Sequence, residues 1–168
     1  GSHHFASVSG YGHDDLGRDT LDHVFADVMQ AEAAAVRVQF VSGTHAIACA
    51  LFGVLRPGDE LLAVAGAPYD TLEEVIGLRG NAQGSLQEFG IAYKELSLTM
   101  DGSVDWDSIA AAVNDRTRMV LIQRSCGYSW RRSLTIEDIA KIVRVIKQRK
   151  PDVVCFVDNC YGEFVETQ

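Results

Sequence analysis

β-type runs alternate with amphipathic helical runs along the chain, and turn residues separate them. The clearest helical run covers residues 135–147, where five β-branched apolar side chains recur at helical spacing. An apolar run of strand length, residues 153–157, follows it directly. Such alternation is typical of right-handed βαβ crossovers, which build a largely parallel sheet. We therefore predict a three-layer α/β fold, with a mostly parallel sheet and helices on both faces.

Turn signals and periodicity give bounds for each predicted element. We expect the first helix to be capped by Asp19 or Thr20. Residues 1–18 are predicted to be an N-terminal arm and residues 19–168 one large domain, because no repeat or linker interrupts them. The predicted helices cover residues 19–31, 45–55, 71–78, 104–113 and 135–147, and the predicted strands cover residues 36–41, 60–64, 92–96, 119–123 and 153–157.

The formal net charge of −8 argues against a nucleic-acid partner, because phosphate backbones are bound by clustered Lys and Arg. The longest apolar runs, such as residues 31–36 and 153–157, are far shorter than the roughly 20 residues of a membrane-spanning helix. We therefore expect neither a nucleic acid nor a membrane as partner.

The four cysteines form no CxxC pair, and no histidine lies at zinc-ligand spacing from them. Three of the cysteines lie in or beside apolar runs. We expect reduced, mostly buried thiols in a cytosol-like compartment, and no metal site.

The segment from Val41 to His45 joins the predicted strand 36–41 to the next helix through Ser42, Gly43 and Thr44. Unpaired N–H groups and the positive end of a helix dipole favour an anion there, Gly allows close approach, and the hydroxyls add donors. A phosphate site is one interpretation. A plain helix N-cap is the other, since Ser and Thr are common at that position.

Two further side chains follow predicted strands. Asp158 comes where the apolar run 153–157 ends, and it could pair with a protonated pyridine nitrogen or simply cap the following loop. Tyr69 follows Pro68, and its ring could stack on a flat cofactor or be an ordinary half-buried aromatic. Because ligands gather at the carboxyl ends of parallel strands, we expect all of these groups near one edge of the sheet.

Taken in order, these stretches resemble enzymes of fold type I that depend on pyridoxal 5'-phosphate (PLP). More narrowly, the chain resembles the cystathionine-lyase-related family of aluminium resistance proteins, from Phe5 to Gln168. The matching stretches are residues 10–18 (GYGHDDLGR), 41–46 (VSGTHA), 68–72 (PYDTL) and 157–164 (VDNCYGEF).

The resemblance implies PLP as the cofactor and an amino acid as the substrate of a carbon–sulfur lyase. It implies that Gly43 and Thr44, with Ser42, hold the cofactor phosphate, that Tyr69 stacks on the ring and that Asp158 pairs with the ring nitrogen. It also implies a homodimer. Three further residues are implied at the cofactor or substrate: Tyr11, reaching into the neighbouring subunit's phosphate site, and Ser125 and Tyr128.

The resemblance places the Schiff-base lysine beyond the strand that follows Asp158, so we expect the chain to contain no catalytic lysine and to be inactive alone. It also implies that strand 36–41 lacks its sheet neighbours, so we expect association with the remainder of the large domain. Two alternatives remain: a non-catalytic doubly wound domain that binds a phosphate-bearing ligand or a protein partner, and a nucleotide-binding module without a role for Asp158.

Overall fold

The structure is a computed structural model that describes residues 1–5 and 15–166. The chain divides into two compact units, Gly1–Val41 and Ser42–Gln168. The first unit contains a short 3-10 helix, Ser2–Phe5, and helix α1, Leu16–Met29. Asp15 caps α1, because its side chain accepts a hydrogen bond from the N–H of Arg18 at 3.0 Å. The predicted caps Asp19 and Thr20 were wrong, since both lie inside the helix.

Residues 36–41 do not form the predicted strand. The N–H of Val36 donates to Asp22 Oδ1 on α1 at 2.8 Å, and both terminal nitrogens of Arg37 donate to the same carboxylate, at 2.6 and 2.8 Å. A turn then closes as the N–H of Phe40 donates to the carbonyl of Arg37. Backbone groups that a strand would offer to a neighbour are therefore used elsewhere. The hydrogen bonds from Arg37 also lower the pKa of Asp22 to about 2.

The second unit is built on a four-stranded parallel sheet, which confirms the predicted fold class. The strand order is β2-β1-β3-β4. The two central strands, β1 and β3, carry nearly all of the fully buried strand residues, whereas β4 at the edge is half-buried. The strands are β1, Glu60–Ala63; β2, Ala92–Glu95; β3, Thr117–Gln123; and β4, Val154–Asp158.

Helices cover both faces of this sheet. Helices α2, Gly43–Val54, and α3, Asp70–Ile76, pack on one face, and α4, Trp106–Ala112, and α5, Ile136–Arg149, pack on the other. The split follows the two-residue period of a strand. Along β3, Met119 and Leu121 pack in the core under α2 and α3, and Val120 and Ile122 pack in the core under α4 and α5. The three-layer prediction is therefore confirmed.

The helix that the sequence predicts most clearly, α5, begins after a complete capping box. Thr135 Oγ1 accepts from the N–H of Asp138, and the Asp138 carboxylate accepts from the N–H of Thr135. Ile142 and Ile146 are fully buried against the sheet. Burial of its apolar stripe and satisfaction of its first N–H groups together fix where α5 begins.

The strand order places a topological switch point between β1 and β3. From β1 the chain continues to β2, on one side of β1, and β3 and β4 lie on the other side of β1. The loop after β1 and the loop after β3 therefore lead in opposite directions. Ligands of open parallel sheets bind at this kind of switch point. The loop after β1 carries Tyr69, and the strand ends of β3 and β4 carry Gln123 and Asp158 in register.

Candidate functional site

The N-terminus of α2 combines a side-chain cap with open space above it. Ser42 is the N-cap, and its Oγ accepts from the N–H of His45 at 3.1 Å. The N–H groups of Gly43 and Thr44, in the first turn, have no partner within the helix. Apart from its chain neighbours and the backbone of its own helix, a Cβ built on Gly43 would have no heavy atom within 4 Å. The Ser42 cap is thus formed, and the backbone at Gly43 remains open to a ligand.

Thr44 joins this helix end to the loop after β1. Its Oγ1 lies 3.0 Å from the hydroxyl of Tyr69 and 3.0 Å from Oγ1 of Thr71. The Tyr69 ring is half-buried and packs against the core under α2 and α3. The structure therefore brings Ser42, Gly43, Thr44 and Tyr69 to one place, although they lie on separate elements.

Gln123, at the end of β3, was not singled out by the sequence. Its Oε1 accepts from the N–H of Tyr69 at 3.2 Å, and its Nε2 donates to the carbonyl of Ser125 at 3.3 Å. Its Cα is the register partner of Asp158 on β4. One amide side chain thus links the Tyr69 loop to the strand beside Asp158. The sequence signal that could have identified Gln123 is a polar amide at the end of an apolar strand.

Asp158 is a buried acid, with 8% of its surface exposed. Its Oδ1 accepts from the N–H of Cys160 at 3.0 Å. Within residues 1–5 and 15–166, no Lys, Arg or His lies within ion-pair distance of its carboxylate. A buried carboxylate without a cation is costly, so this position favours a ligand that brings positive charge.

The loop after β3 holds the remaining predicted contacts. Ser125 is half-buried, and its carbonyl accepts from Gln123 Nε2 and from Arg131 Nη2, the latter at 2.6 Å. Arg131 Nη2 also donates to the carbonyl of Gln123, and burial lowers the pKa of its guanidinium. The Tyr128 side chain is 100% exposed, so this structure does not bring it to the other residues. Tyr11 lies outside the described residues.

The cysteines differ from expectation in one respect. All four are free, but Cys49 and Cys160 are exposed and Cys126 and Cys155 only half-buried, so the prediction of mostly buried thiols was wrong. Cys155 lies on the edge strand β4, where only one side of the strand has a neighbour. Partial burial raises the pKa of its thiol.

The described residues contain no cluster of His, Cys, Asp and Glu that could hold a metal ion. Their helices also include none long and apolar enough to cross a membrane.

The sequence model of one family, methionine gamma-lyase, matches residues 1–168. The chain belongs to the methionine gamma-lyase family. Among curated relatives, the uncharacterized Bacillus subtilis protein YnbB is 55% identical over 97% of this chain and 39% of its own length. An L-methionine gamma-lyase from Pseudomonas deceptionensis is 26% identical over 91% of this chain and 34% of its own length.

Solved structures confirm the narrower resemblance within the family. A carbon–sulfur lyase involved in aluminium resistance from Clostridium novyi is 50% identical, with a TM-score of 0.90 over 100% of this chain and 40% of that one. A Listeria monocytogenes protein, a candidate cystathionine beta-lyase involved in aluminium resistance, is 53% identical, with a TM-score of 0.93 over 100% of this chain and 42% of that one.

A more distant structure shows the fold alone. A methionine aminotransferase from Escherichia coli is 18% identical, with a TM-score of 0.59 over 86% of this chain and 35% of that one. The chain therefore has the α/β fold of fold-type I PLP enzymes. It spans about two fifths of the length of the matched relatives that are at least half identical to it.

Proposed function

We propose that the full-length protein containing this sequence is a PLP-dependent carbon–sulfur lyase that acts on a sulfur-containing amino acid, and that these 168 residues supply its cofactor-binding part. The observation that carries the proposal is the meeting of three groups at one sheet edge. An open helix N-terminus, a tyrosine ring held against it and a buried acid without a cation match the phosphate, ring and ring nitrogen of one PLP molecule.

The phosphate belongs at the start of α2. The N–H groups of Gly43 and Thr44 donate to its oxygens, and the helix dipole stabilises the negative charge. Ser42 keeps the helix end in shape through its bond to the His45 N–H. The open space above Gly43 is what close approach of a phosphate requires.

Tyr69 stacks on the cofactor ring, and two contacts fix its position. Thr44 holds its hydroxyl and Gln123 holds its backbone N–H. A stacking aromatic ring contributes most when its orientation is set before the ligand binds, because less freedom is lost on binding.

Asp158 holds a proton on the ring nitrogen. The carboxylate and the protonated nitrogen neutralise each other in a buried place, which raises the nitrogen's pKa. PLP, when bound, supplies the electron sink for the chemistry at the amino acid. The carboxylate of Asp158 is kept in place by the N–H of Cys160.

None of the four lysines can serve this site. Lys147 donates to the carbonyl of Val153 and Lys150 to the carbonyl of Thr117, and both acceptors lie at the opposite end of the sheet from Asp158. Lys141 lies over the ring of Trp106, 4.0 Å from its centroid. Lys94, on β2, is separated from β4 by β1 and β3, roughly 14 Å at the usual strand spacing. The Schiff-base lysine of the working enzyme therefore lies in polypeptide outside these residues, and this chain alone is inactive.

The working enzyme is a homodimer in which Tyr11 of one subunit reaches the phosphate site of the other. This part of the proposal is supported by the family resemblance of residues 10–18.

Borohydride trapping tests the proposed function. We expect the full-length protein with PLP to release a thiol from a sulfur-containing amino acid, and borohydride to fix PLP on one lysine outside this sequence. The 168-residue chain is the matched control, and it should show neither a site-specific lysine adduct nor turnover. Mass spectrometry of the reduced, digested proteins locates the adduct.

Two outcomes contradict this proposal. Turnover with an adduct on Lys94, Lys141, Lys147 or Lys150 would show that the chain is itself a complete catalyst. Binding of PLP by the full-length protein without any lysine adduct or thiol release would instead favour the non-catalytic phosphate-binding domain.

A further inference from the structure

Arg124 is the most buried cation at the carboxyl edge of the sheet, with 7% of its surface exposed. It directly follows β3, and its guanidinium reaches three separate segments. Nε donates to the carbonyl of Leu134 at 3.3 Å, Nη1 to Asn159 Oδ1 at 2.9 Å, and Nη2 to Glu166 Oε2 at 2.8 Å. These hydrogen bonds join the loops around Arg124. The contacts with the segment after β4 also bring Arg124 close to Asp158.

Arg124 holds the peptide that follows β4 from both sides. Its backbone N–H donates to the carbonyl of Asp158 at 3.0 Å, while its guanidinium holds the side chain of Asn159. The direction in which the chain leaves Asp158 sets the position of the Cys160 N–H, which binds the Asp158 carboxylate. Arg124 is therefore linked to that carboxylate through Asn159 and Cys160, without touching it.

Gly162 shows how closely this segment packs on Arg124. Gly162 is buried, and a Cβ added to it would overlap Asn159 Oδ1 and lie 2.8 Å from Arg124 Cδ. The chain after Asp158 thus lies directly on the arginine side chain, and only glycine fits there. Arg124 and Asn159 are in direct contact through a hydrogen bond, so a shift of the Arg124 side chain changes the support of Asn159.

The charge of Arg124 is already balanced by another group. Glu166 Oε2 accepts from Arg124 Nη2 and also from the N–H of Ile136, at the positive end of α5. Arg124 makes no ion pair with Asp158, so it leaves the carboxylate charge available to a ligand. Its effect on Asp158 is geometric.

We propose that Arg124 is a positioning residue that holds Asp158 in line with the ring nitrogen of the cofactor, by fixing Asn159 and the Cys160 N–H. The inference rests on the proposed function and deepens it, because it names the group that orients the acid. Arg124 also closes the base of the loop that carries Ser125, since its carbonyl accepts from the N–H of Leu134 at 2.8 Å.

The test compares Arg124→Met with Arg124→Lys in the full-length protein. Met keeps most of the length of the side chain and removes its hydrogen bonds, whereas Lys retains one donor. We expect Arg124→Met to raise the Kd for PLP at least tenfold and to shift the pH profile of the bound PLP absorption in the same direction as Asp158→Asn. Arg124→Lys should recover part of both effects. Arg132→Met is the matched control, because Arg132 is exposed in the same loop and pairs with Asp138.

Asn159→Ala provides a second route if Arg124→Met fails to fold. Asn159 is exposed, and its replacement removes the Nη1 hydrogen bond while it leaves the Arg124 side chain in place. The same pH shift, in a smaller amount, supports the inference. If both variants keep the wild-type Kd and pH profile while Asp158→Asn loses them, Arg124 does not position Asp158. If Asp158→Asn also binds PLP normally, the proposed function itself fails.

Discussion

Asp158→Asn should lower kcat/KM of the full-length lyase by a factor between about thirty and several thousand, since losing one partner of a buried charge pair costs about 2–5 kcal/mol. Asparagine keeps the Oδ1 atom that accepts from the Cys160 N–H, so the loop after β4 should keep its shape. Only the negative charge is removed. The variant therefore separates the charge of Asp158 from its structural contact.

Steady-state kinetics measure this effect, and thermal unfolding checks the fold. Asp152→Asn is the matched control, because Asp152 is an exposed acid that lies 3.7 Å from Arg118 and far from the carboxyl edge. We expect both variants to unfold near the wild-type temperature and only Asp158→Asn to lose activity. Equal kcat/KM for the two variants would show that Asp158 has no role at the ring nitrogen.

Gly43→Asp should greatly weaken PLP binding while leaving the fold intact. A Cβ at this position would meet no heavy atom within 4 Å apart from its chain neighbours and the backbone of its own helix, so a side chain can be added there without a clash at Cβ. An acid in the first turn of a helix stabilises the helix by about 0.3–1 kcal/mol. The same charge repels a phosphate dianion, by about 4 kcal/mol for each unit charge at 4 Å and an effective dielectric constant of 20. A substitution that favours the helix is thus expected to weaken PLP binding at least a hundredfold, roughly the factor that 2.7 kcal/mol gives.

Gly43→Asn separates charge from size in this experiment, because asparagine has nearly the same shape as aspartate. We expect Gly43→Asn to weaken PLP binding far less than Gly43→Asp, by equilibrium titration of cofactor absorbance. Similar Kd values for Gly43→Asp and the wild type would show that the phosphate does not bind at the start of α2.

Local pattern was enough to predict most elements of the second unit. The apolar stripe of α5 and the Thr135 cap are encoded within a few residues, and the structure begins and ends that helix within two residues of the prediction. The predicted strand at residues 36–41 was wrong because a strand depends on more than local pattern. An alternation of apolar and polar residues is compatible with a strand, but a strand also needs a neighbouring strand, and the Val36 N–H is instead bound by Asp22.

The candidate site divides in the same way. Ser42 and Asp158 follow local rules, since each lies at the junction of two elements, where polar groups are needed. The roles of Gln123 and Arg124 depend on contacts between residues far apart in sequence. Strand order sets Gln123 beside Asp158, and Arg124 binds Asn159. The burial of Cys155 likewise depends on β4 being an edge strand, which no local pattern encodes.

The most direct measurement of the central claim is a crystal structure of the full-length protein grown with PLP. The account predicts the phosphate at the N–H groups of Gly43 and Thr44, the ring over Tyr69, and the ring nitrogen within hydrogen-bond distance of Asp158. A cofactor bound elsewhere, or a ring nitrogen with no contact to Asp158, would contradict it.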